Sequence, residues 1–104
     1  MDFHEELRSK FGGAIAESCC KRGCSLSFES LSRRPTVIDA DKYAALTGYE
    51  DKMCDYFVFP VVPRNIAVVV EMKAGAVNAR NAVRQLIAGA QVVDRMTQGR
   101  EVSF

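Results

Sequence analysis

No charge of one sign dominates this chain. Fourteen Lys and Arg against 13 Asp and Glu leave a net charge of +1. The broad electrostatic footprint of a strong nucleic-acid binder is therefore missing, and any DNA contact has to rest on a local patch. No apolar run reaches 18 residues, so no transmembrane helix and no membrane partner is expected. The start, Met-Asp-Phe-His-Glu-Glu, lacks the basic and apolar pattern of an export signal, so an intracellular protein, cytoplasmic or nuclear, is expected. The single histidine, His4, is expected at the surface, so no His general base is assigned. Internal repeats and low-complexity tracts are absent too. What is present is 48% hydrophobic residues with mixed charge over 104 positions. That describes one folded domain, residues 1–104, with a modest core, whether alone or as part of something larger.

The densest signal is Ile66-Ala67-Val68-Val69-Val70-Glu71-Met72-Lys73. Five apolar residues, three of them Val, predict a strand covered on both faces in the middle of a sheet, and the strand ends in charges. Side chains alternate, so Glu71 and Lys73 share a face. Asp55-Tyr56-Phe57-Val58-Phe59 is a second strand, and Pro60 to Asn65 is the turn, since its two prolines cannot donate to a central ladder. A hairpin symmetric about Pro63 pairs Phe59 with Ala67, Phe57 with Val69 and Asp55 with Glu71. Directly opposed Cβ atoms lie roughly 4.5–5.5 Å apart, and like charges there repel unless a cation sits between them. By this reasoning, neutralising Asp55 as Asn should relieve on the order of 0.2–1 kcal/mol in the metal-free protein.

Asp55, then Glu71-Met72-Lys73 at the end of an apolar strand, then a helix, resembles the PD-(D/E)xK, or restriction-endonuclease-like, nuclease superfamily. The nearest branches are the phage-type exonucleases and the Holliday-junction resolvases. The resemblance implies that Asp55 and Glu71 hold Mg²⁺ (or Mn²⁺), aided by the Met72 carbonyl, and that Lys73 positions the attacking water. Cys54 stands where a Pro often precedes the Asp. An acid-x-Lys triplet is a weak signal alone, because this composition supplies roughly half of one by chance. A second triplet, Glu50-Asp51-Lys52, sits in a polar turn with no strand before it and is set aside. In the exonuclease-like branch a Gln on the following helix supports the site, with a Tyr four residues later. Gln85 matches the Gln, and Gly89 stands in place of the Tyr. The family often carries an acid on its first helix, for which Glu17 is the better match and Glu6 the other.

The remaining elements follow from periodicity. Residues 2–20 predict a helix capped by Asp2 and weakened at Gly12-Gly13. Cys24 to Phe28 alternates as an edge-like strand. Val37-Ile38 extends or adds a strand, and Asp39 caps a short helix, 40–46, that stops near Gly48. Residues 77–97 predict the strongest helix, with Val83, Leu86, Ile87, Ala90, Val93 and Met96 or Thr97 on its buried stripe. Arg80, Arg84 and Arg95 share its polar face and are candidates for DNA phosphate contacts, as is the loop pair Arg33-Arg34. Residues 100–104 begin a further strand. The expected architecture is α/β: a minimal restriction-endonuclease-like core of helix, three-stranded antiparallel meander and helix, with a short fourth strand. Its sheet leaves an open edge, so a homodimer or a partner chain is expected along it.

The expected function is metal-dependent hydrolysis of DNA. A non-catalytic interaction module of the same fold is the alternative. A further alternative draws on Cys19, Cys20, Cys24 and Cys54 as a metal- or redox-responsive cluster. The spacing Cys20-x-x-x-Cys24 is not a tight ligand pair and no second pair exists, so the four are expected to be structural thiols.

Overall fold

The computed structural model describes residues 2–72, 78–98 and 100–104. The chain is α/β. In order it forms α1 (Phe3–Lys10), β1 (Ile15–Ala16), β2 (Cys19–Lys21), β3 (Cys24–Leu26), β4 (Thr36–Asp39), α2 (Ala40–Thr47), β5 (Tyr56–Phe59), β6 (Val68–Val70) and α3 (Ala79–Met96), with a 3₁₀ turn at Gly12–Ala14. The main sheet is antiparallel, in the order β1-β4-β5-β6. Strands β2 and β3 form a separate hairpin.

The β5–β6 register is the one expected from symmetry about Pro63: Phe57 faces Val69, Tyr56 faces Val70 and Val58 faces Val68. Phe57, Phe59, Ile38 and Ala67 face one side of the sheet, where α1, α2 and α3 pack Phe3, Leu7, Tyr43, Val92, Val93 and Met96 against them. Tyr56, Val58, Val37 and Met72 face the other, where Cys19 of the β2–β3 hairpin covers them, with Cys24 and Phe28 alongside. Edge-to-face contacts of Phe3 on Phe59 and Tyr43 on Phe57 close the helical side.

Four elements depart from expectation. Strand β6, expected to be covered on both faces in the middle of a sheet, is three residues long at the end of the strand order, with Val68 43% exposed. The first helix ends at Lys10, and the chain after Gly12-Gly13 turns into strands β1 and β2. Two successive glycines without helix-stabilising side chains let the chain turn there, and Ile15 then pairs with Ile38 at the sheet edge. Cys24 to Leu26 pairs locally with β2 instead of joining the main sheet, so the fourth strand of that sheet is β1 and Val37-Ile38 lies inside it. The buried stripe of α3 is Leu86, Gly89, Val92, Val93 and Met96, while Val83 and Ile87 are 53% and 54% exposed. Gly89 packs its bare backbone against Cys54 and Val69, and Val83 and Ile87 lie off this interface.

Helix α2 is as expected. Asp39 caps it by accepting from the Lys42 N–H, and Gly48 closes it in the left-handed region at φ 75°. The end of the chain pairs with the segment that leads into β6, through a parallel bridge between Ile66 and Ser103. His4 is half-buried rather than simply exposed, with Nδ1 2.8 Å from the Thr36 hydroxyl. Among the described residues no helix is long and apolar enough to cross a membrane.

Candidate functional site

Asp55 is fixed from every direction. Its N–H donates to the Val70 carbonyl at 2.8 Å, and its carbonyl accepts from the Ala40 N–H at 3.0 Å. It is thus held between the end of β4 and the end of β6. The ladder stops at Tyr56 and Val70, and there the Asp55 side chain takes over. Oδ2 accepts from the Met72 N–H at 2.8 Å. The Glu71 side chain is close enough to Asp55 to influence its carboxyl, and both Glu71 carboxylate oxygens are buried. The hairpin therefore brings the two acids together, as expected. Lys73, the third member of the motif, lies outside the described residues.

Two cations that sequence reasoning passed over complete the group. Arg22 Nη1 donates to Asp55 Oδ2 at 2.9 Å and to the Met72 carbonyl at 2.9 Å. Lys21 Nζ lies 2.8 Å from Asp41, 3.7 Å from Asp39 and 3.8 Å from Asp55 Oδ1. Its ammonium also stands 4.8 Å from the centre of the Tyr56 ring. Burial alone would raise the Asp55 pKa. The Met72 N–H, the neighbouring Glu71 side chain and Arg22 outweigh it and hold the carboxyl below its ordinary value. The local signal for these cations was the Lys-Arg-Gly between two alternating segments. It reads as a two-residue hairpin loop, but nothing local says where the loop points.

Asp55 opens into a cavity of about 370 Å³ lined by Arg22, Asp41, Tyr49, Lys52 and Gln85, among others. Gln85 on α3 thus reaches the same space as Asp55. Glu50, Asp51 and Lys52, the triplet set aside above, also line it. Lys52 and Gln85 continue into a second depression of about 300 Å³ with Asn81 and Arg84. Arg80 lies one turn before Arg84 on the exposed face of α3, and Arg95 lies 11 residues further along, roughly 16 Å at 1.5 Å per residue.

Other candidates fall elsewhere. Ala16 pairs with Val37, and Thr36 pairs with Phe59. Residues adjoining these pairs therefore sit at the opposite end of the sheet from Asp55. Glu17 is there, in the β1–β2 loop, its carbonyl accepting from Arg34 at 2.7 Å. Arg33 and Arg34 share that end, so the structure does not gather Glu17 or this basic pair at the acid site. Glu6 also stands apart, paired with Arg100.

The cysteines do not cluster. The β2–β3 register places Cys20 opposite Ser25 and Cys19 opposite Leu26, so Cys20 points to one face of the hairpin and Cys19 and Cys24 to the other. Burial pushes the Cys19 thiol up to about 11 and the Cys54 thiol up to about 12, which keeps both protonated. All four are free of disulfides, and Cys54 belongs to the helical side of the core.

Among the described residues no three His, Cys, Asp or Glu side chains form a metal-ligand group. The donors that do converge are of mixed kind. Asp55 Oδ2 and the Met72 carbonyl both lie 2.9 Å from a single Arg22 nitrogen, so they face one point, and that point accepts positive charge. Two carboxylates, a carbonyl and water are the oxygen donors that Mg²⁺ takes, since it keeps several waters of its own. Asp55 Oδ2 and the Met72 carbonyl are oxygens of that kind, and in this structure the Arg22 guanidinium holds both. Comparison of the chain with protein-family models, with curated proteins and with solved structures finds no match.

Proposed function

We propose that the chain is a metal-dependent nuclease of the PD-(D/E)xK kind that hydrolyses DNA phosphodiester bonds. One observation carries this reading: a buried acid pair, Asp55 and Glu71, at the end of a β-hairpin, where Asp55 Oδ2 and the Met72 carbonyl converge on one cationic point. Asp55, Glu71 and the Met72 carbonyl would hold Mg²⁺ or Mn²⁺. Bound there, the ion supplies an activated water and stabilises charge on the phosphorus oxygens. Gln85 faces the same cavity and can orient a water or a phosphate oxygen by hydrogen bonding. Lys73 is assigned the positioning of the attacking water on the motif alone. The test is cleavage of single-stranded, duplex and branched DNA in Mg²⁺ or Mn²⁺, with Glu71→Ala as control. Cleavage that depends on the ion and disappears in the variant supports the reading, and equal cleavage by both proteins removes it.

Arg84 lines the depression that adjoins the cavity and Arg80 lies one turn away, so DNA is expected to cross this end of α3. Each lost phosphate contact should lower the slope of log affinity against log salt by roughly 0.9 on duplex DNA. For the double variant Arg80→Ala, Arg84→Ala that means a slope shallower by up to about 1.8. An unchanged slope and affinity would take this face out of the interface. The same reading keeps a second copy or a partner chain along the β6 edge, where Val68 is exposed.

A non-catalytic module of the same shape is favoured by one specific observation: Arg22 and Lys21 already neutralise Asp55 without any ion. Such a module takes up no Mn²⁺ and cuts no DNA.

A further inference from the structure

The β2–β3 hairpin turns through a loop whose first residue is ill suited to it. Lys21 faces Cys24, so Arg22 and Gly23 alone make the loop, with φ of 55° and 75°. Positive φ at both positions is the type I′ turn, which favours Asn, Asp or Gly at its first position. A long side chain there is held against its backbone preference. What offsets this is the far end of Arg22, with Nη1 2.9 Å from both Asp55 Oδ2 and the Met72 carbonyl.

Those are two of the oxygen donors that the proposed ion would use. The Asp55 side chain is 7% exposed, whereas that of Arg22 is 50% exposed. The hairpin does not depend on Arg22 to stay seated. The Tyr56 hydroxyl bonds both the N–H and the carbonyl of Cys20 at 3.1 Å, and Lys21 pairs with Asp41. The guanidinium can therefore leave while the hairpin stays.

Resting on the nuclease reading, we propose that Arg22 is the resident counter-cation of the site. It yields its place to the divalent ion and then binds a non-bridging oxygen of the substrate phosphodiester. A guanidinium suits carboxylate and phosphate alike, through the same planar fork of donors. While it is seated, the ion's apparent affinity is reduced by the fraction of sites that are open. A phosphate at the cavity mouth gives Arg22 another partner, so ion and substrate load together. Such coupling is reciprocal.

Mn²⁺ uptake, followed by loss of the free-ion EPR signal, tests this without any cleavage. The proteins are wild type, Arg22→Asn and Lys52→Asn. Asn suits the first position of the turn, so Arg22→Asn keeps the hairpin while removing the guanidinium. Lys52→Asn removes an equal charge from the same cavity. Without DNA, Arg22→Asn is expected to bind Mn²⁺ about tenfold more tightly than wild type. Lys52→Asn should change the affinity less than about threefold, the effect of general charge. A phosphorothioate DNA oligonucleotide, which resists cleavage, should then tighten Mn²⁺ binding by wild type but not by Arg22→Asn. If wild type binds Mn²⁺ and Arg22→Asn binds no better, or if both variants tighten equally, or if the oligonucleotide acts alike on wild type and Arg22→Asn, the inference is overturned and the metal site stands. If neither wild type nor Arg22→Asn takes up Mn²⁺, the inference and the nuclease reading fall together.

Discussion

Asp55→Ala is expected to lower stability by about 3 kcal/mol and to abolish any stabilisation by Mg²⁺. The carboxylate is nearly fully buried and accepts from the Met72 N–H, with Arg22 and Lys21 around it. Removing one partner from a buried ion pair costs roughly 3–5 kcal/mol, because the other is left uncompensated. Arg22 is half exposed and regains water, which places the loss at the low end. In a chain this short, that is a fall in Tm of roughly 10–20 °C. Asp55→Asn keeps the shape and an acceptor for Met72, so its cost should be nearer 1 kcal/mol. The folded carboxyl titrates below 3.8, its ordinary value. Its contribution is therefore present above that pH and is lost as the pH falls through the depressed folded value.

The sign reverses what two opposed carboxylates suggested from the sequence, namely relief on neutralisation. The reason is the pair of cations brought in by the β2–β3 hairpin. Thermal melts of wild type, Asp55→Asn and Asp55→Ala, in chelator and then in millimolar Mg²⁺, decide it. Wild type should gain roughly 2.7 kcal/mol at a hundredfold excess of ion over Kd, and both variants far less. An Asp55→Asn protein more stable than wild type in chelator would show that repulsion prevails after all. A wild-type curve indifferent to Mg²⁺ and Mn²⁺ would leave an internal ion pair and no metal site.

Gly89→Leu is expected to destabilise by roughly 3 kcal/mol or more, through overpacking where α3 packs against Cys54 and Val69. A Cβ on Gly89 would lie 2.5 Å from Cys54 Sγ, 3.2 Å from Cys54 Cβ and 3.4 Å from Val69 Cγ1. Even Gly89→Ala sets a gain of about 1 kcal/mol in helix propensity against that overlap, and a net loss of roughly 1–2 kcal/mol is expected. Cys54→Ala removes the nearest atom, so the double variant should recover about 1 kcal/mol relative to additivity. Urea denaturation of the four proteins in this cycle measures it. Gly89→Leu with wild-type stability would mean that α3 can shift outward at little cost.

Some local readings agree with the fold, although the apolar run at residues 66–70 did not show that β6 would lie at the edge of the sheet. The β5–β6 register follows from Pro60, Pro63 and a strand period of two, and it places Asp55 beside Glu71 with no tertiary information. The same holds for the Asp39 cap, the Gly48 stop and the span of α3. Each depends on neighbours within a few residues or on a single short turn. The failures share the opposite property. Periodicity could not say that α1 ends before Gly12, because the chain beyond it is drawn into pairing with β4. The apolar stripe on α3 was visible, but not that Gly89 would pack against Cys54 and Val69 with Val83 and Ile87 off this interface.

The site divides along the same line. Its two acids were set by the sequence alone, as neighbours across one hairpin. Its two cations lie more than 30 residues from Asp55 along the chain and belong to a hairpin that could have packed in several places. Only the folded chain, with Tyr56 holding Cys20 and Asp41 holding Lys21, decided that they point at Asp55. Long-range charge pairing carries no local pattern, because its energy depends on where the elements dock and not on what any of them is made of.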